Sequence, residues 1–203
     1  MNEIIFLGLL SQIESYDIKK VGCRLNQHIP EWKTYLELVG CIFKNRGVEK
    51  PVVVEIGILD GMQRQFYEEL FNATYISIDI NPKSPADIIG DSCSLSVLEK
   101  LKAILDGRKI DLLFIDGLHT YDGVKADYEI YNPMVKHITA IHDVLTPKNS
   151  PKDSVNVIDF WDEVKATNIE DTLLTIQHHN NRLNTSFNGR PLGIGVVLKG
   201  QGL

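Results

Sequence analysis

From Val52 onward the chain alternates between two hydrophobic periods, and that alternation limits its fold more than any other feature. Val52-Val53-Val54-Glu55-Ile56 is a short β-branched run of the kind found in a strand buried on both faces. Met62, Phe66 and Leu70 then repeat every four residues with Glu68 and Glu69 opposite, which predicts an amphipathic helix. Tyr75 to Ile80 reads as the next strand, a short one follows near Asp87 to Ile89, and Leu95, Leu98, Leu101 and Leu105 mark another helix. Ile110 to Asp116 is the most hydrophobic strand. After it come a helix carrying Val124, Tyr128 and Tyr131, a strand at Ile138 to Ile141, and a helix with Val157, Trp161 and Val164 on one face. Strands separated by helices of this length build βαβ units, so the class is α/β, with a doubly wound, mainly parallel sheet. Leu173 to Gln177 and Gly195 to Leu198 are joined by a polar loop without a helical period. They are expected to pair as an antiparallel hairpin, because a parallel pair needs a crossover.

Ahead of the sheet, residues 31 to 46 place Tyr35, Leu38, Val39, Ile42 and Phe43 at helical spacing after Pro30, with Cys41 expected in the core. Ile4 to Leu10 is an apolar run of about seven residues, well below the ~18 of a membrane span, and lacks the basic flank and cleavage site of a leader. It is expected to pack inside a cytoplasmic protein with no membrane partner. At 203 residues the chain is expected to form one domain, with a helical extension and lid over 1–50 and the catalytic core over 51–203. The 21 Lys+Arg against 27 Asp+Glu give a net charge of -6 without any basic stripe, which argues against a nucleic-acid partner. Cys23, Cys41 and Cys93 lack a C-x-x-C pairing, so neither a disulfide framework nor a zinc knuckle is expected.

Ligands of open α/β sheets bind beyond the carboxyl ends of the strands. The first strand here ends in Glu55-Ile56-Gly57-Ile58-Leu59-Asp60-Gly61, a tight turn whose glycines permit close backbone approach. The second ends in Asp79, about two dozen residues beyond Glu55 and near the ~20 expected of an acid that holds a ribose. Leu59 replaces the middle glycine of a dinucleotide fingerprint, and Glu55 would repel a pyrophosphate. A cationic, ribose-bearing ligand such as S-adenosylmethionine suits this turn better than NAD. The fourth strand ends in Phe114-Ile115-Asp116-Gly117-Leu118-His119-Thr120-Tyr121 and the fifth in Ile141-His142-Asp143-Val144. Asp116 and Asp143, at adjacent strand ends and beside two histidines, point to a site. Either acid alone would read as a helix cap. His137, His178 and His179 are expected at the surface or a sheet edge.

The Phe-Ile-Asp-Gly-x-His-x-Tyr run, followed by Val124, Lys125 and Asp127 and then by His142-Asp143, resembles the class I S-adenosylmethionine-dependent methyltransferases. Within them it is most similar to the small branch related to catechol O-methyltransferase and the cephalosporin-hydroxylase-type enzymes (methyltransferase domain 24-like). The resemblance runs from about Val52 to Leu198. It implies a Rossmann-like, seven-stranded sheet whose last strand is antiparallel. It implies further that Glu55, Gly57 and Gly61 form the cofactor turn, that Asp79 takes the ribose, and that Asp91 and Ser92 approach the adenine. The metal positions of the related enzymes fall on Asp116, His142 and Asp143, where two carboxylates suit Mg²⁺ and the imidazole suits Mn²⁺, Fe²⁺ or Zn²⁺ better. Where the catechol-type enzymes carry a lysine base, this chain has His119, whose ordinary pKa of ~6.5 leaves a neutral fraction able to accept a proton. The implied function is methyl transfer to a hydroxyl of a small acceptor, a sugar or natural-product intermediate. The alternative is a module of the same fold that binds the cofactor without chemistry. A homodimer is compatible with either.

Overall fold

A computed structural model of the chain describes residues 27, 29–146, 156–177 and 192–200. The apolar run at 4–10, the first part of the expected lid over 1–50, and His178 and His179 lie outside these residues. The described elements are α1 (Ile29–Asn45), β1 (Val52–Ile56), α2 (Arg64–Phe71), β2 (Thr74–Asp79), β3 (Ile88–Ile89), α3 (Leu95–Leu105), β4 (Ile110–Ile115), α4 (Tyr121–Tyr131), β5 (Val135–His142), α5 (Val157–Thr167), β6 (Thr172–Ile176) and β7 (Ile194–Leu198). A 3₁₀ turn at Asn132–Met134 leads from α4 into β5.

All seven strands join one sheet in the order β3-β2-β1-β4-β5-β7-β6. The pairs among β1 to β5 are parallel, while β7 runs antiparallel to both β5 and β6. The expected hairpin therefore forms, and its second strand inserts between β5 and β6. The chain leaves β1 towards one edge and returns through β4 towards the other, so the carboxyl ends of β1 and β4 frame the switch in strand order, where such sheets open a crevice.

Period-two alternation divides the central strands between two cores. Val52, Val54 and Ile56 face α3, α4 and α5, through Val97, Leu101, Val124, Phe160 and Trp161. Val53, Phe114, Ile138 and Ala140 face α1 and α2, through Trp32, Tyr35, Phe66 and Tyr67. Gly195 is needed in β7 because a Cβ there would lie 2.9 Å from the Trp161 indole, whose Nε1 donates to Thr175 Oγ1 at 3.0 Å. Ser94 and Thr120 cap α3 and α4 by accepting from Val97 N and Gly123 N, which starts each helix just past a strand-end turn.

Two expectations for single residues are corrected. His137 is buried, not peripheral: Arg46, in the turn after α1, reaches its Nδ1 at 3.0 Å and Asp111 lies 3.6 Å from its Nε2. Cys41 is exposed, since the buried stripe of α1 runs through Trp32, Tyr35, Leu36, Val39 and Phe43 and leaves position 41 on the outer face. Among the described residues no helix is long and apolar enough to cross a membrane.

Candidate active site

A cavity of about 710 Å³ opens at the switch point, a size that suits a cofactor-scale ligand. One wall is the turn after β1. Gly57, at φ 79, is required there because a Cβ would fall 2.2 Å from the Asp116 carbonyl oxygen, so its absence lets the β1 turn lie against the end of β4. Asp79 clamps the same turn. Its Oδ2 accepts from Ile58 N at 3.0 Å and Leu59 N at 3.2 Å, and its Oδ1 accepts from Asn81 N at 2.8 Å. A carboxylate has roughly four acceptor sites, so Asp79 keeps one for a ligand hydroxyl. Asp91 and Ser92 line the far wall.

Two expected cofactor residues do not line this cavity. Glu55 is fully buried on the α1/α2 face of the sheet, because β1 alternates and position 55 shares its face with Val53. Gly61 supports the turn from behind, where a Cβ would meet Pro85 and Ile58.

At the other end of the cavity, four side chains from two strand-end segments converge. His119 Nε2 lies 3.3 Å from Asp116 Oδ1 and its Nδ1 lies 3.0 Å from Asp143 Oδ2. His142 Nδ1 lies 3.0 Å from Asp116 Oδ1 and 3.6 Å from Asp143 Oδ1, although neither ring nitrogen of His142 makes a well-aligned hydrogen bond. Thr146 Oγ1 donates to Asp143 Oδ1 at 3.1 Å. Asp143 itself sits at φ 61, a left-handed backbone that Asp tolerates better than most residues. The ligand atoms of Asp116, His142 and Asp143 all lie within 4.8 Å of one another. Atoms bound at ~2.1 Å to a common ion can be no more than ~4.2 Å apart, so the three need only a small contraction to share one.

The charges of this cluster hold one another. The carboxylates of Asp116 and Asp143 raise the His119 imidazole to about 10 against the pull of its burial. Burial depresses His142, but Asp116 and Asp143 outweigh it and lift this ring to about 9. Burial likewise pushes the Asp116 carboxyl up, and the two imidazoles more than offset it, holding the group well below the usual carboxylate range. Asp143 is lowered in the same way. Two anions and two protonated rings therefore form a nearly neutral cluster at neutral pH.

Two further residues belong to the site and were not assigned from the sequence. Gln27 donates from Nε2 to Asp116 Oδ2 at 3.0 Å, a contact 89 residues long that no local pattern announces. Asp127 is a cavity-lining, buried carboxylate that accepts from Ser92 Oγ at 2.6 Å, and burial raises it to about 6. Here a signal existed, since α4 carries an acid on the same face as Val124 and Tyr131, where an apolar residue would be the default.

Residues 54–144 match the family model described as a methyltransferase domain. The match spans β1 to the turn after β5 and contains the switch point, the Asp79 clamp and the acid-imidazole cluster. It bears out the resemblance read from Phe114 to Tyr121 and supports an S-adenosylmethionine-dependent methyltransferase. No curated protein matches the chain in sequence. Among solved structures, a proposed O-methyltransferase from Klebsiella pneumoniae superposes with a TM-score of 0.63 at 12% identity, covering 97% of this chain and 90% of that one. The O-methyltransferase TomG of Streptomyces achromogenes, in complex with SAM, gives 0.59 at 13% identity over 95% and 89%. MycE methyltransferase of the mycinamycin pathway, in complex with Mg and SAH, gives 0.58 at 17% identity, covering 96% of this chain and 54% of the larger MycE chain. At these identities the likeness establishes the fold, that of the Rossmann-like methyltransferases.

Proposed function

We propose that the chain is an S-adenosylmethionine-dependent O-methyltransferase that acts on a hydroxyl of a small acceptor, with a divalent cation held by Asp116, His142 and Asp143. The observation that carries this is the convergence of those three ligands at one end of a cofactor-sized cavity whose other wall is the β1 turn and Asp79. The donor set suits Mn²⁺ at least as well as Mg²⁺, because one of its three ligands is an imidazole. MycE, which shares the fold, was crystallised with Mg, SAH and mycinamycin VI, which agrees with a hydroxylated natural product or sugar as acceptor.

In this account Asp79 accepts from the ribose with its remaining lone pair, and Asp91 and Ser92 meet the adenine. Gly57 keeps the turn close enough for the methyl-bearing end of the cofactor to approach the cluster. A bound cation supplies Lewis acidity that makes the acceptor hydroxyl a better nucleophile. Gln27 fixes the orientation of Asp116. His119 would take the proton from the acceptor only with the charge of Asp116 and Asp143 engaged by a cation, because facing those two carboxylates alone the ring already carries a proton at neutral pH. With both carboxylates turned fully towards it, the imidazole keeps its own proton to about 10. Methyl transfer is an in-line displacement that needs the acceptor oxygen ~3 to 3.5 Å from the methyl carbon, so positioning by these residues should dominate the rate.

The test is transfer of tritiated methyl from S-adenosylmethionine to a panel of small polyhydroxylated molecules, with Mg²⁺ or Mn²⁺, by the wild type and by Asp116→Asn. Label transfer that Asp116→Asn abolishes is the expected result. Cofactor binding without transfer to any acceptor would favour a module that binds and does not react.

A further inference from the structure

Behind the cluster, Gln27 Oε1, Trp32 Nε1, Glu55 Oε1 and His142 Nε2 are buried and have no hydrogen-bond partner among the described residues. The four belong to one neighbourhood around Phe114 and Asp116. The Trp32 ring packs edge-on against Phe114 at 5.7 Å, and the His142 ring lies 6.2 Å from Phe114. Glu55 stands directly across from Phe114 in the β1/β4 register, and Phe114 across from Ala140 in the β4/β5 register. His142 follows two residues after Ala140, and so emerges on the same face of the sheet. Gln27 joins through its bond to Asp116. All four side chains are almost wholly removed from solvent, with Gln27 at 3% and Glu55 at 0% exposure.

We propose that these four side chains hold one internal water, and that through it Glu55 orients the imidazole of His142. Trp32 can only donate and Gln27 Oε1 can only accept. His142 Nε2 carries a proton whether the ring is charged or ligates through Nδ1, so it donates, and Glu55 Oε1 accepts, either as a carboxylate oxygen or as the carbonyl oxygen of the carboxyl group. A water molecule offers two donors and two acceptors, so the inventory closes. Buried waters commonly make about three such bonds to otherwise unpaired polar groups. The other Glu55 oxygen is already fixed, since Tyr75 Oη donates to Oε2 at 2.6 Å, and the carboxyl group is therefore anchored in the sheet. A histidine that binds metal through one nitrogen usually has the other held by a carboxylate, a carbonyl or a water, which fixes its tautomer and ring plane. Glu55 is thus a positioning residue and not part of the cofactor turn. Its link to the metal rests on the ligand role given to His142 above, whereas the water does not.

A crystal structure at about 1.5 Å decides the water, and no metal is needed for that. A density peak within ~2.6–3.2 Å of at least three of the four atoms is expected. The same atoms bonded directly to one another, with no peak between them, would overturn it. Glu55→Gln then tests the orientation. Above pH ~8, where Glu55 gives up its proton, Mn²⁺ affinity read by electron paramagnetic resonance should fall ~10- to 100-fold, while S-adenosylhomocysteine affinity stays within about twofold because Glu55 lies outside the cavity. Trp32→Phe, which removes the donor to the water and part of a buried ring, should weaken Mn²⁺ binding in the same direction and serves if Glu55→Gln does not fold. Unchanged Mn²⁺ affinity in the folded variant, or a selective loss of S-adenosylhomocysteine, would overturn the positioning role. If the wild type binds no Mn²⁺, the cation reading fails, and nitrogen NMR of the His142 ring above pH ~9, where the ring is neutral, takes over. One tautomer in the wild type that becomes a mixture in Glu55→Gln supports the positioning role, and identical spectra refute it.

Discussion

Glu55→Gln should change the pH dependence of stability in a way few surface substitutions could. The carboxyl group is fully buried in β1, and desolvation raises it from 4.5 to about 8 despite the hydrogen bond from Tyr75. Between those values the native chain keeps a proton that the unfolded chain releases. The stabilisation from this group is therefore complete below pH ~4.5 and is lost as the pH rises towards 8. At about 1.36 kcal/mol per unit, the wild type loses on the order of 4 to 5 kcal/mol over that window, a large share of the 5–15 kcal/mol that holds a typical domain together. The amide of Gln is nearly isosteric and does not ionise. Urea unfolding at intervals from pH 5 to 9, on both proteins, isolates the effect as a difference. The gap should move in favour of Gln by several kcal/mol as the pH rises, with the m-value unchanged. Two curves that stay parallel within about 1 kcal/mol would show that Glu55 is solvated or paired, contrary to its burial.

The remaining predictions concern the site itself. Asp116→Asn and Asp143→Asn should each abolish measurable Mn²⁺ binding, read by paramagnetic resonance, and leave S-adenosylhomocysteine affinity within a few-fold. Without metal, proton NMR should find the His119 ring charged up to at least pH 9, because Asp116 and Asp143 raise it. The stability it contributes is present below pH ~6.5 and is lost as the pH climbs through about 10, a loss that His119→Ala should remove. Gly57→Ala should cost more than about 1 kcal/mol by thermal melts, since a Cβ would strike the Asp116 carbonyl at 2.2 Å and the residue is left-handed at φ 79.

The sheet was legible because its signals are local. The β-branched run at Val52, the fourfold spacing of Met62, Phe66 and Leu70, and the polar loop before Gly195 each act within a few residues, and the structure follows them. The strand ends were legible for the same reason, since a chain that alternates strand and helix must deliver Asp79, Asp116 and His142 to one rim. What escaped depends on which way a side chain faces and on contacts far apart in sequence. Glu55 follows strict alternation into the α1/α2 core, yet a turn motif read by spacing alone puts it beside a ligand. The His137 ring is held by Arg46, 91 residues earlier. Gln27 could not be found at all, because nothing near it marks a partner 89 residues away. Asp127 could have been, as a carboxylate on the apolar face of α4.

The account stands most directly on what fills the cavity between the Asp79 clamp and the acid-imidazole cluster. Calorimetric titration of the full chain with S-adenosylhomocysteine, and separately with NAD, measures this. One site for S-adenosylhomocysteine, weakened at least tenfold by Asp79→Ala, and no heat from NAD is the predicted result. Binding of NAD with none of S-adenosylhomocysteine would contradict it.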